Sequence, residues 1–289
     1  MSLKKLFLLG LLTFSCSLPV QAMKRKRATT QTTKKKQPTS RKKLYDPSST
    51  EPFKISRSKL SLFLKCPRCF YLDCKFGLRQ PPGYPFTLNN AVDTLLKNEF
   101  DIYRKSQEPH PLLIKNGINA IPFNHPDINK WRDSLHHGIQ YLVPGTNILF
   151  YGGIDDVWIN PQTEELMIAD YKATSKAGTV NLDAPWQIDY KRQVEIYQWL
   201  FRKNEFKVSD TAYFVYCNGI KNVDRFDNHL DFETLLLPYE GDASWIDDAI
   251  IAAYNCLQSN ALPPVNNECA YCKYVKSVFD TLLEIKRSK

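Results

Sequence analysis

The chain has 289 residues, of which 43% are hydrophobic and 12% aromatic, enough apolar mass for a sizeable core in one large domain. Its formal charge of +9 is unevenly placed: residues 1–43 hold 12 Lys or Arg and no acid, while the rest carries 27 basic against 30 acidic side chains. A folded body that is basic all over is thereby excluded, and any grip on nucleic acid has to come from a local cleft.

In chain order, residues 1–22 read as a secretory signal peptide, with Lys4 and Lys5 at its start, an apolar run from Leu6 to Leu12 and a small-residue cleavage site at Val20-Gln21-Ala22. The apolar run is too short for a membrane span. Met23 opens Met-Lys-Arg-Lys-Arg and offers a rival start; a product beginning there is expected in the cytoplasm, whereas the leader keeps export open. Residues 23–52 are rich in Lys, Arg, Thr, Gln and Pro, with almost nothing to bury, and read as a basic disordered tail. A folded domain is expected over 53–289.

Within it, Ser56 or Ser58 can cap a helix running through Leu60, Leu62, Phe63 and Leu64. A Pro/Gly break spans Arg79 to Pro85. Residues 88–104 fit a second helix, with Val92, Leu95, Leu96, Phe100 and Tyr103 on its apolar side. A loop follows to about 130, then a short helix from Trp131 to Ile139. Two apolar, strand-like runs at about 147–173 flank the turn Asn160-Pro161-Gln162-Thr163. Ala184 to Phe201 is a helix with Pro185 in its first turn, Thr211 to Cys217 a strand, and Ser244 to Leu257 a helix ended by Pro263-Pro264. The order of helix, hairpin, helix and strand belongs to an α/β core. No repeat, Gly-rich phosphate loop or nucleotide-binding fingerprint is present.

Two stretches carry chemistry: Gly152-Gly153-Ile154-Asp155-Asp156 on one strand, and Ile168-Ala169-Asp170-Tyr171-Lys172 on the next. A reversal near Gln162 sets Asp155 opposite Asp170, and alternation puts Asp170 and Lys172 on one face with Tyr171 on the other. Asp-x-Lys on a strand is commonly a solvated face. Here the flanks, Leu166 to Ala169 and Phe150 with Ile154, are apolar, and charges on a central strand call for a partner or a metal. Two carboxylates and an amine at one patch suit a hard cation such as Mg²⁺ or Mn²⁺ beside a charge that can work on water or phosphate.

These motifs, followed by Gln193 and Tyr197 four residues apart on one helix face, resemble the PD-(D/E)XK nuclease superfamily and its RecB-like branch. The resemblance covers residues 54–280. It implies a restriction-endonuclease-like α/β fold, a central mixed sheet flanked by helices, and a magnesium- or manganese-dependent nuclease hydrolysing phosphodiester bonds, with DNA repair among the settings. It assigns Asp155 and Asp170 as metal ligands joined by the backbone carbonyl of Tyr171, with Lys172, Gln193 and Tyr197 completing the catalytic set. That branch carries a His or Glu ligand on the preceding helix. Here Asp93 is the nearest equivalent, and it reads equally as an early-helix acid favoured by the dipole. DNA, its single strands or ends included, is the expected substrate, with a helicase or another nucleic-acid-processing protein as the implied partner.

Cys66-Pro67-Arg68-Cys69 and Cys269-Ala270-Tyr271-Cys272 have the spacing of a four-cysteine metal site that joins the two ends of the domain. Iron–sulfur members of the resembled branch, a CRISPR-associated exonuclease family among them, place one cysteine in a Cys-Pro-Arg segment and three near the C-terminus. Cys66, Cys269 and Cys272 match, the third late cysteine is missing, and Cys69 or Cys74 can complete the set. A [4Fe–4S] cluster, a Zn²⁺ site and buried thiols all stay open, as does a disulfide in an exported product. Cys217 and Cys256 read as small core residues. Arg68, Arg79, Lys191 and Arg192 are candidates for a backbone-binding cleft, and Trp186 and Trp199 for core packing or base stacking. Two further functional classes remain: a weak or inactive nuclease-fold protein that binds nucleic acid or a protein, and an exported, disulfide-linked structural protein.

Overall fold

The computed structural model describes residues 43–288; the signal-like leader and most of the basic tail lie outside the described residues. Packing begins before Phe53. Tyr45 is buried and its hydroxyl lies 3.3 Å from the Asn147 side chain and 2.7 Å from that of Gln258.

The chain opens with strand β1 (Phe53–Ser56) and helix α1 (Arg57–Lys65), whose N-cap is Ser56, accepting the Lys59 N–H at 3.3 Å. Helix α2 (Pro67–Phe76) follows at once, with Pro67 at its first position and Gly77 closing it in the left-handed region. Helix α3 (Thr87–Ser106) buries Leu96 and Phe100 but leaves Leu95 exposed. The Pro-rich stretch after it holds helix α4 (Pro111–Lys115), strand β2 (Ile121–Pro122) and helix α5 (Ile128–Arg132). The expected helix from Trp131 to Ile139 is therefore shorter and earlier. Gly138 adopts a φ of 73° in a turn, and Ile139 already starts a strand.

Strands β3 (Ile139–Leu142), β4 (Ile148–Gly152), β5 (Asp156–Ile159) and β6 (Leu166–Thr174) come next, then helix α6 (Ile188–Lys203), strands β7 (Thr211–Gly219) and β8 (Phe232–Glu240), and helices α7 (Ile246–Gln258) and α8 (Ala270–Arg287). They build a three-stranded sheet, β1-β4-β3, and a five-stranded mixed sheet, β2-β5-β6-β7-β8. In the larger sheet β6 runs antiparallel to β5 and parallel to β7. Helix α3 packs on one face, where Phe100 meets Trp158 and Tyr171. Helix α6 packs on the other, burying Val194, Tyr197 and Phe201 against Ile168 and Phe214. This is the mixed α/β, restriction-endonuclease-like architecture, with helices on both faces of a central sheet. No helix of the described residues is long and apolar enough to cross a membrane.

The register positions the site. Asp156 pairs with Ala169 and Ile159 with Leu166, so the reversal centres between Gln162 and Thr163. Strand β6 runs on to Thr174, past the start of β5, and its outer half has a partner only on the β7 side.

Candidate active site and cysteine cluster

The chain passes from one sheet to the other through Gly153, Ile154 and Asp155. Glycine is required both at Gly152, just before this crossing, and at Gly153, its first residue. A Cβ on Gly152 would stand 2.7 Å from Cε1 of Tyr197, and one on Gly153 would stand 2.7 Å from Cα of Ser134. The tyrosine of α6 and the turn after α5 can thus lie directly on this crossing, with Asp155 in the gap beyond the end of β5.

The two adjacent aspartates then diverge. Asp155 accepts the Tyr171 N–H at 3.0 Å, occupying the open edge of β6. A strand residue points its N–H and C=O to the same edge, so the Tyr171 carbonyl also faces that gap. Asp156 is fully buried on the α3 side. It accepts the Tyr171 hydroxyl at 2.6 Å, its own neighbour's N–H (Val157) at 2.8 Å and Arg132 at 3.2 Å, and it pairs with Arg104. Arg132 also donates to the Asp155 carbonyl at 3.0 Å. Asp156 therefore orients the backbone that carries Asp155 and Tyr171.

Asp170 and Lys172 share the α6 face. Asp170 is fully buried; its Oδ2 is ion-paired and hydrogen-bonded with Lys172, and its Oδ1 has no hydrogen bond. Burial pushes its carboxyl up to about 7; Lys172 pulls the other way and Asp155 adds to the rise. Asp155 behaves oppositely. Burial would raise it, but Lys97, Lys172 and the Tyr171 N–H outweigh that and hold it below the ordinary carboxylate range. Burial alone would lower the Lys172 ammonium, yet Asp170 and Asp155 together hold it above its usual value. It lies 4.6 Å over the Tyr190 ring. Two electrostatically coupled acids, one with an unpartnered buried oxygen, plus an inward carbonyl, are a hard-oxygen donor set that a divalent cation fits.

Gln193 donates to the Tyr197 hydroxyl at 3.1 Å, and both line the pocket that shares Asp155. Burial raises the Tyr197 phenol, against the pull of Arg57. Asp93 reaches the site indirectly. Its carboxylate is 2.8 Å from Lys97 Nζ, which is 3.1 Å from Asp155, so Lys97 bridges the two acids. A cleft of about 510 Å³ lies on this side, lined by Asp93, Lys97, Asp155 and Lys172, and a second of about 440 Å³ lies beside Arg57, Asp155, Gln193 and Tyr197. A hollow of about 540 Å³ inside residues 220–231 holds none of these groups.

Three residues of this site were not read from the sequence, Arg57, Lys97 and Arg132, and Asp156 was read within its motif without a role. Lys97 had a signal, four residues past Asp93 on the same helix face. The expected cleft cations lie elsewhere. Lys191 and Arg192 sit over the Tyr239 and Trp245 rings, Arg79 pairs with Asp73, and Arg68 donates to the Pro263 carbonyl at 2.9 Å. Trp199 is buried, whereas Trp186 is exposed beside Tyr190.

At the opposite end of α1, Cys66, Cys69, Cys269 and Cys272 gather with all four sulfurs within 4.8 Å of one another, a set able to hold a metal. All four are thiols, not disulfide-bonded. Cys74, on the same helix as Cys69, packs into the main core instead.

The fold, the paired acids and the neighbouring lysine define a nuclease-type site. Residues 123–277 match the family model of the PD-(D/E)XK nuclease superfamily, and the chain belongs to that superfamily. No curated protein and no solved structure matches the chain.

Proposed function

We propose that the chain is a divalent-metal-dependent deoxyribonuclease of the RecB-like branch, with Asp155, Asp170 and the Tyr171 carbonyl as the groups that would hold Mg²⁺ or Mn²⁺. The observation that carries this reading is Asp170: a fully buried carboxylate with one oxygen paired to the Lys172 ammonium and the other without a hydrogen bond, beside a second carboxylate. Such a group is costly in a domain that has no use for it. The metal, when bound, supplies Lewis-acid activation of water and neutralises charge on the phosphate.

The chain's own residues do the rest. Lys172, held charged between two acids, orients the attacking water or stabilises the charge that grows on phosphoryl oxygens. Gln193 fixes the Tyr197 hydroxyl beside Asp155. Arg57 faces the same pocket and offers a phosphate contact. The twin clefts on either side of Asp155 suit an extended strand, which supports single strands or ends of DNA as substrate, presented by a helicase or a similar processing partner.

Asp170→Asn keeps size and removes ligand charge. It is expected to abolish Mg²⁺- or Mn²⁺-dependent cleavage of linear, nicked and single-stranded DNA while the fold persists. Wild-type rates in D170N on all three substrates would sink the assignment. A second reading, a weak or inactive member that binds nucleic acid or a protein, is favoured by Lys97, whose ammonium bridges Asp93 and Asp155 and so occupies the acids that a metal would need. Wild-type protein that binds DNA but never nicks it at saturating Mn²⁺ would select that reading.

A further inference from the structure

The cysteine cluster has the wrong size for the group that the resemblance implies. The closest sulfur pairs are Cys66–Cys272 at 3.6 Å, Cys69–Cys269 at 3.7 Å and Cys69–Cys272 at 3.8 Å, and no pair exceeds 4.8 Å. One ion bound tetrahedrally by four thiolates at about 2.3 Å sets its sulfurs about 3.8 Å apart. A [4Fe–4S] cube has an iron at each of four corners, and each thiolate stands outside its own iron. The metal–metal separation then adds to the metal–sulfur bonds, and the thiolates are pushed well beyond single-ion spacing. The tetrahedron seen here is the size of one ion.

The two halves of the cluster are also built alike. Cys66 caps the N-terminus of α2, and its sulfur accepts the Cys69 N–H at 3.5 Å. Cys269 holds the same place just before α8, where its side chain makes no cap hydrogen bond. Each C-x-x-C pair therefore opens a helix and brings two sulfurs into one cluster. Cys69 is a full member of the set, and α8 continues to Arg287 without another cysteine. An all-thiolate tetrahedral set, closed on every side, is the chemistry of a structural zinc site.

We infer that Cys66, Cys69, Cys269 and Cys272 hold one structural Zn²⁺, not an iron–sulfur cluster, and that this ion clamps the start of α2 to the start of α8. The clamp is remote from the chemistry but reaches it mechanically. Cys66 directly follows α1, and the opposite end of α1 presents Arg57 to the cleft. The Asn266 side chain, donating to the Lys65 carbonyl at 2.8 Å, closes the same joint. The inference stands independently of the nuclease reading.

The test is metal and acid-labile sulfide content of the full chain, purified anaerobically from cells supplied with both zinc and iron. One zinc per chain without sulfide is expected, and it should persist in a D155N/D170N double variant, which places it away from the acids. Cys69→Ser should lose zinc as completely as Cys269→Ser, while Cys217→Ser retains it. Cobalt-substituted protein should show the visible bands of a tetrahedral thiolate site. Four irons with labile sulfide, full metal retention in Cys69→Ser, or a natively stable chain that binds no metal would each overturn the proposal. If Cys69→Ser fails to fold, the wild-type stoichiometry decides alone.

Discussion

Asp155 and Asp156 are neighbours in sequence, and the structure separates their roles so sharply that exchanging either for asparagine should give opposite phenotypes. Asp156 is fully buried and balances two guanidiniums, those of Arg104 and Arg132, which are themselves only 5% and 10% exposed. In Asp156→Asn both cations remain buried without their shared countercharge, although Asp101 still holds part of the pair. Breaking a buried ion pair from one side costs about 3–5 kcal/mol. In a domain of this size roughly 2–4 °C of melting temperature goes with each kcal/mol, so a fall of about 6–20 °C is expected. Asp155→Asn loses a half-buried pair with Lys97, for which Asp93 remains as partner, so its metal-free stability should change by no more than about 1 kcal/mol. Activity should follow the reverse order. D155N should lose cleavage by roughly 10²–10³ or more. D156N, assayed well below its melting point, should lose no more than roughly tenfold through a slightly misplaced backbone. Thermal unfolding followed by circular dichroism in chelator, together with single-turnover cleavage, measures both. A D156N protein that melts with the wild type, or a D155N protein that keeps its rate, would refute the assignment of one aspartate to chemistry and the other to support.

Lys97→Met removes a resident cation that stands 3.1 Å from Asp155, so a divalent ion should meet less competition there; the magnesium concentration for half-maximal cleavage should fall several-fold, and an unchanged or higher requirement would rule out that role. Near neutrality, stability should also report on His110, which is buried, stacked on Phe100 at 4.0 Å and hydrogen-bonded through Nδ1 to the Leu112 N–H at 3.0 Å. Burial, against the pull of Glu99, holds its pKa below the ordinary 6.5, so its contribution is complete above that value and is lost as pH falls through 6.5 toward the folded pKa. Urea midpoints of wild type and H110N measured on both sides of pH 6.5 should converge on the acid side; parallel curves would refute the buried neutral imidazole.

Much of the candidate site is legible in the sequence because its signals are local. Asp156 and Asp170-x-Lys172 lie on strands whose apolar alternation fixes their faces, and the Asn160–Thr163 turn fixes their register; Gly153 and Asp155, expected on the same strand, instead form the crossing between the two sheets. Gln193 and Tyr197 share a helix face by period alone, and the C-x-x-C spacing announces a metal site without a fold. The elements missed are those whose local signal points elsewhere. Cys66-Pro67 reads as a break, yet proline at a first helical position starts α2. Strand β8 is an edge strand with little buried surface, so its sequence lacks the apolar weight of β7. Helix α8 leaves nearly all its apolar residues exposed, Cys272 apart, so packing against the core does not mark it.

Spacing along the chain defines the set of chemical groups and their order. Packing settles which charge meets which. Lys97 reaches Asp155 across 58 residues, Arg104 and Arg132 take Asp156 away from the cleft, and Cys69, not Cys74, completes a sulfur tetrahedron whose pairs lie 200 residues apart. Hydrophobic period and turn chemistry act over a few residues and can be read along the chain. Electrostatic pairing and thiolate geometry act through space over a few ångströms, and those distances exist only once the sheets and helices have packed.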